Sequence, residues 1–172
     1  NAEMIFENAR VPHANVVGEV NGGVKKGSGD TTGGDLFGDL ELASNALGVC
    51  DAACEMALRH AKTSRRGGAL LFDQQVIQLK LNRMHMLTEA LRSYVMRIAW
   101  EHDRRMHTTN PGLAMNFSTD VIQEVTRLNL DVHGRSSLTE SGADKLARDA
   151  IIWTHLAGDT VQRMRVARRL TG

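Results

Sequence analysis

Apolar residues recur every three or four positions over residues 36–64 and 73–105, and this periodicity constrains the fold more than any other feature of the chain. Each stretch predicts one amphipathic helix, and the second is long enough to span about 45 to 50 Å. Helices of this length pack as bundles, so we expect an all-α fold. The apolar positions are Leu40, Ala43, Leu47, Cys50, Cys54 and Leu58 in the first stretch, and Ile77, Leu81, Met84, Leu87, Leu91, Tyr94 and Ile98 in the second.

Three further helices are predicted downstream, and together they complete an antiparallel four-helix bundle with one additional short helix. The third follows a break at residues 110–112 and ends at Gly134. The fourth covers 143–157, and after Gly158 a fifth runs to about residue 170. The predicted N-cap residues are Asp73, Ser141 and Asp159, and the predicted stop of the first helix is Arg65-Arg66-Gly67-Gly68.

The first 35 residues differ in composition from the helical remainder and are treated as a separate segment. Residues 3–6 predict a short strand, which leaves through a turn at Val11-Pro12. A glycine-rich loop follows, but its glycine spacing fits neither a dinucleotide-binding nor a P-loop fingerprint. We therefore divide the chain into a strand and linker at 1–35 and a helical bundle at 36–172. The start at Asn1 suggests a piece of something longer.

Charge and cysteine content exclude several classes of function. The net charge of +1 gives no indication of a nucleic-acid or membrane partner, and no apolar run is long enough for a transmembrane helix. Cys50 and Cys54 lie one helical turn apart without a second ligand pair, so neither a metal site nor a disulfide framework is predicted. Free core thiols and a cytoplasmic location are the expectation.

Six short motifs, in this order and spacing, resemble the C-terminal part of the acyl-CoA dehydrogenase family. Single motifs of this kind are weak, whereas six in the correct order are fairly specific. The first, FENARVPHANVVGE, resembles the last strand of that family's middle β-domain. The others are Ala46-Leu47-Gly48, Arg65 or Arg66, Gln75-Val76, the run from Ala99 to Asp103, and the closing pair Leu146 to Ala150 with Val166 to Arg168.

The resemblance implies a flavoenzyme that binds FAD, oxidises the α,β bond of an acyl-CoA thioester and passes electrons to an electron-transfer flavoprotein. Its subunits have two further domains and assemble as dimers or tetramers. Such members hold FAD partly through a neighbouring subunit, by an arginine after the first long helix and a glutamine that opens the second. These roles fall on Arg65 or Arg66 and on Gln75, although a helix C-cap is the alternative for the arginines.

Two features depart from the family pattern near this cofactor. The family's glycine-rich turn between the third and fourth helices keeps only Gly134, and glycine replaces the phenylalanine that follows the arginine. His133 is predicted to help close the third helix rather than to act in catalysis.

The usual catalytic base of the family, a glutamate before the glycine that joins the last two helices, is replaced here by Ala157. A minority of members supply the glutamate from the first long helix, which points to Glu41. Asp159 resembles an aspartate used in related oxidases. The alternatives are a surface or capping carboxylate for Glu41 and a helix N-cap for Asp159.

Three functions remain open from the sequence. The first is the bundle domain of an acyl-CoA dehydrogenase, inactive without its other domains. The second is the same fold in a flavin-dependent monooxygenase, which needs no carboxylate base. The third is a non-catalytic oligomerisation subunit that only completes a partner's FAD site.

Overall fold

The structure is a computed structural model that describes residues 3–16, 36–106, 109–139, 141–156 and 158–169. By its contacts the chain divides into two compact units, residues 1–35 and 36–172. Residues 3–6 have no strand, so that prediction was wrong, and residues 3–16 contain a single 3-10 turn at His13–Asn15. A short strand without a paired neighbour is only marginally stable, which accounts for the difference. The predicted glycine-rich loop, as far as residue 35, lies outside the described residues.

The second unit is helical, as the periodicity predicts. Its helices are α1 at Leu36–Thr63, α2 at Gln75–Asp103, α3 at Pro111–His133, α4 at Ala143–Leu156 and α5 at Thr160–Arg169. Short 3-10 turns precede α2 at Leu71–Asp73 and follow α3 at Gly134–Leu138. No helix in the described ranges is long and apolar enough to cross a membrane.

Helix α3 is the centre of the bundle, because it packs against each of the other four helices. Its buried apolar residues face a row of alanines on α1, whose small side chains allow the two helices to approach closely. Both predicted free thiols lie in this core, and Cys54 shares a hydrogen bond of 3.4 Å with Thr88 of α2. The core therefore contains the faces that the spacing assigned to α1, α2 and α3.

The connection between α1 and α2 differs from its prediction. Arg65–Arg66 (β1) pairs antiparallel with Ala69–Leu70 (β2). Gly67 and Gly68 have φ of 61° and 85°, as in the type I′ turns that suit two-residue hairpins. Residues 65–70 thus form a hairpin rather than a simple helix stop, since both glycines supply positive φ.

Four predicted helix starts can be compared with the structure. Asp73 is not the N-cap of α2, because it lies in the preceding 3-10 turn and Gln74 occupies the cap position. Asn110 caps α3 by accepting from the Gly112 N–H at 2.9 Å, so the predicted break is itself a helix start. Ser141 accepts from the Ala143 N–H at the start of α4, and Asp159 accepts from the Gln162 N–H at the start of α5.

Candidate functional site

A cleft of about 390 Å³ opens where the β1–β2 hairpin and the start of α2 meet the end of α3. It brings together Arg66 and Gly134, which belong to separate sequence motifs and are both predicted cofactor residues. The residues that line it are Arg66, Leu71, Gln74, Val76, Ile77, Lys80, Asp131, Val132, His133, Gly134, Arg135 and Ser136.

The lining of this cleft carries an excess of positive charge. Lys80 and Asp131 neutralise each other through an ion pair of 3.0 Å. Arg66 and Arg135 are exposed, and within the described part of the chain neither forms an ion pair. Two guanidinium groups with unused donors at one cleft favour an anion with several oxygens, such as a phosphate or diphosphate.

The other two predicted cofactor residues lie beside the cleft rather than in its lining. Arg65 donates from a guanidinium nitrogen to the Gly68 carbonyl at 2.9 Å, which ties the side chain to the hairpin turn. Gln75 is exposed, and its neighbour Gln74 is the residue that lines the cleft. The hairpin therefore separates the roles of the two arginines: Arg65 holds the turn and Arg66 faces the cleft.

Gly134 leaves backbone open to the cleft at the end of α3. Its φ of 54° lies in the left-handed region, and its N–H donates to the Leu130 carbonyl as the helix cap. A Cβ placed there would meet no atom within 4 Å. The hydroxyl of Ser137 donates to the Gly134 carbonyl at 2.7 Å and fixes the following turn. The site therefore keeps an accessible backbone segment although the family's other turn glycines are absent.

Two stacked histidines lie at the cleft: His133 is part of its lining, and His60 packs on His133. His60, in the last turn of α1, lies with its ring centroid 4.3 Å from that of His133, the last residue of α3. The Nδ1 of His133 donates to the Asn129 carbonyl at 2.9 Å, which supports the predicted role in closing the helix. Burial, and secondarily the neighbouring His133, lowers the pKa of His60 below its ordinary value.

The turn between α4 and α5 is held tightly against α3. Gly158 is buried with φ of 70°, and Arg163 donates to its carbonyl at 2.7 Å. The same guanidinium makes two hydrogen bonds to Asp120 of α3, at 2.8 and 3.1 Å. Ala157, the position of the missing base, lies outside the described residues, but the glycine after it has a fixed place.

The two alternative base candidates have different surroundings. The Asp159 carboxylate accepts the Gln162 N–H at 2.7 Å, as expected for the N-cap alternative. Glu41 is exposed on the second turn of α1. Residue 39 on that helix lies near the start of α3, because a Cβ at Gly112 would be 3.5 Å from Asp39, and the same Cβ would be 2.9 Å from Val166 of α5. The N-terminal part of α1 therefore lies close to the point where α5 meets α3.

A larger groove of about 470 Å³ lies between α3 and α4, but its charges are already paired. Its lining residue Glu124 bonds Arg83 at 2.8 Å, and Arg127 bonds Asp131 at 3.1 Å. Because these cations are already paired with carboxylates, the groove is expected to bind anions more weakly than the hairpin cleft does.

Sequence reasoning missed Gln74, Lys80, Arg135 and Ser136 as cleft residues. The one signal available was that Arg135 and Ser136 directly follow the glycine that ends α3. Lys80 has no such signal, because its position in the cleft depends on how α2 packs against α3.

Comparison with known proteins identifies the family. The model of the acyl-CoA dehydrogenase C-terminal domain matches residues 38–171. The "Probable acyl-CoA dehydrogenase YngJ" of Bacillus subtilis is 30% identical over 98% of this chain and 44% of its own length. The caffeyl-CoA reductase-Etf complex subunit CarC of Acetobacterium woodii is 26% identical over 95% of the chain and 43% of its own length.

The fold agrees with this assignment. The solved structure of butyryl-CoA dehydrogenase from Megasphaera elsdenii superposes with a TM-score of 0.82, at 27% identity, over 98% of this chain and 44% of that one. The chain thus spans less than half the length of each of these relatives. By its match to the family model over most of its residues, the chain belongs to the acyl-CoA dehydrogenase family and corresponds to its C-terminal domain.

Proposed function

We propose that the chain is the C-terminal bundle of an FAD-dependent acyl-CoA dehydrogenase, in which it binds part of FAD and holds subunits together. The observation that carries this proposal is the cleft in which Arg66, Arg135 and the open backbone at Gly134 meet. The cleft supports the proposal in addition to the family match, because these residues are distant in the sequence and the fold brings them together.

The groups in the cleft fit the diphosphate of FAD. Arg66 and Arg135 supply planar donors suited to phosphate oxygens, and Gln74 adds a neutral donor. Because Gly134 has no Cβ, a ligand in the cleft can approach the backbone at this position. Bound FAD would supply the two-electron acceptor for oxidation of the acyl thioester. The chain's own part is to hold the diphosphate.

We propose that the base that removes the α-proton of the acyl-CoA is either Glu41 or no residue of this chain. Alanine at 157 cannot accept a proton, and the carboxylate of Asp159 is already engaged as a helix cap. Glu41 is exposed on the part of α1 that lies close to the point where α5 meets α3. The second candidate function, a non-catalytic subunit that completes a partner's FAD site, is favoured by Ala157 alone.

Fluorescence quenching of FAD by the chain tests the cofactor assignment. We expect saturable quenching, weakened about tenfold by Arg66→Ala or Arg135→Ala, since one charge-assisted hydrogen bond contributes about 1.5 to 3 kcal/mol. Arg148→Ala is the matched control, because this exposed arginine on α4 pairs only with Asp144 in the described structure. Equal weakening by all three variants would refute the cleft as the binding site.

The base assignment is tested separately from cofactor binding. The chain alone is expected to leave the flavin spectrum unbleached by butyryl-CoA. A chimera in which this chain replaces the matching segment of butyryl-CoA dehydrogenase allows the comparison of Glu41→Gln and Ala157→Glu. Loss of bleaching in Glu41→Gln assigns the base to Glu41. Activity that appears only with Ala157→Glu supports the non-catalytic alternative.

Self-association and an electron-transfer flavoprotein acceptor belong to the same proposal. Leu79, Met96 and Trp100 of α2 are exposed in the chain by itself, and apolar surface of this kind marks contact regions. The acceptor is suggested by the family and by the name of the CarC relative. Sedimentation as a dimer or tetramer is the expected result, and a clean monomer at micromolar concentration would contradict it.

A further inference from the structure

The stacked histidines at the cleft are the only titratable pair in the described structure whose rings contact each other directly. His133 is buried and lines the cleft, and His60 packs on it from α1. Their backbone and side-chain partners are fixed: Nδ1 of His133 donates to Asn129, and Nδ1 of His60 lies 3.2 Å from the Ser64 hydroxyl. A proton added to this pair therefore remains next to the cleft.

Burial disfavours a proton on His60 while the cleft is empty, and the neighbouring ring of His133 adds to the cost. The neighbouring elements contribute an excess of cations. The charged groups that share the cleft with His133 are Arg66 of the hairpin, Lys80 of α2, Asp131 of α3 and Arg135 of the following turn.

An anion in the cleft reverses this balance. Two or more negative charges would offset Arg66 and Arg135 and would attract an imidazolium behind them. Both histidines also stand at helix C-termini, where the helix dipole favours a cation. The arrangement thus disfavours the proton in the empty cleft and favours it in the occupied one.

We propose that the His60–His133 stack takes up a proton when a diphosphate or similar anion binds in the cleft, so that anion binding strengthens as the pH falls. The proposal rests on the proposed function for its natural ligand, FAD, but the cleft chemistry applies to any polyanion. Because proton and anion favour each other, each must raise the affinity for the other by the same factor.

The test measures anion affinity of the 172-residue chain between pH 8 and pH 6 at constant ionic strength. FAD and inorganic sulfate serve as probes, because neither changes charge in this range. We expect affinity for both to rise about three- to tenfold over this interval, since one linked proton changes affinity by at most about tenfold per pH unit. His60→Phe/His133→Phe keeps an aromatic stack and should lose the slope. His85→Gln, at an exposed histidine of α2, should keep it.

Histidine proton resonances of the unmodified chain give a second readout that does not depend on the variants folding. Addition of sulfate should move the titration midpoint of the stacked pair to higher pH and leave His85 unchanged. Affinity that is flat or falls towards pH 6, or an unmoved midpoint at saturating sulfate, overturns the inference. Sulfate binding with the slope but no FAD binding would retain the inference and reject the proposed function. Binding of neither probe at any pH would reject both.

Discussion

Replacement of Gly158 by alanine is expected to destabilise the bundle through two separable effects at the α4–α5 turn. The φ of 70° lies in the left-handed region, where an alanine costs about 1 to 2 kcal/mol. The new Cβ would also stand 2.8 Å from the Thr119 hydroxyl oxygen and 3.2 Å from its Cβ. Overpacking of this kind adds about 1 to 3 kcal/mol, which gives about 2 to 5 kcal/mol in total.

Two other glycines separate these effects. Gly142→Ala has a similar φ of 71° but no atom within 4 Å of the new Cβ, so only the backbone cost of about 1 to 2 kcal/mol is expected. Gly48→Ala lies in the interior of α1 with open space around it, and it should stabilise the chain by about 0.5 to 1 kcal/mol. The expected order of stability is therefore Gly48→Ala, unmodified chain, Gly142→Ala, Gly158→Ala.

Urea unfolding followed by circular dichroism at 222 nm measures this order. With a denaturant slope of about 2 kcal/mol per molar, Gly158→Ala should lower the midpoint by about 1 to 2.5 M. Thr119→Ala, which removes the closest oxygen, should recover part of the loss when combined with Gly158→Ala. Equal midpoints for Gly158→Ala and Gly142→Ala would refute the packing of this turn against α3.

Three further predictions concern titratable groups that are wholly or partly buried. Glu101→Gln should lower the free energy of unfolding by about 1.5 to 3 kcal/mol, because its buried carboxylate accepts hydrogen bonds from the N–H and hydroxyl of Thr109 at 2.8 Å; urea midpoints measure this. Burial raises the pKa of the Cys50 and Cys54 thiols, so both should resist Ellman's reagent at pH 8 until the chain unfolds, and rapid native labelling would contradict their packing. The pKa of His60 is lowered below its ordinary value of 6.5 in the folded chain, so the unfolded chain binds more protons at this residue. The free energy of unfolding should therefore fall as the pH drops from 7 through 6.5. His60→Phe should make this fall smaller.

The bundle could be predicted from the sequence because its helices are long and strongly periodic. The start of α1 at Leu36 and the caps at Ser141 and Asp159 agree with the structure, since these signals act within a few residues. The hairpin at Arg65 to Leu70 was missed because a glycine pair is equally suited to a helix cap and to a type I′ turn. Local sequence does not choose between them when the flanking strands have two residues each.

The candidate site was only partly predictable, since it depends on contacts between elements distant in the chain. Arg66 and Gly134 came from separate motifs, and only folding places them in one cleft. Lys80 and Arg135 were not predicted, because the register of α2 against α3 decides their position. The strand at residues 3–6 was predicted from composition, but strand formation needs a pairing partner that composition does not supply.

The most direct test of the central claim is a map of backbone amide chemical shifts in the isotope-labelled chain during titration with FAD. We expect shifts that saturate together at Arg66, Gln74 and residues 134–136, with little change along the α3–α4 groove around Ala147 and Ile151. Saturable shifts that cluster in that groove, or none at the hairpin and the end of α3, would contradict the assignment of the cleft.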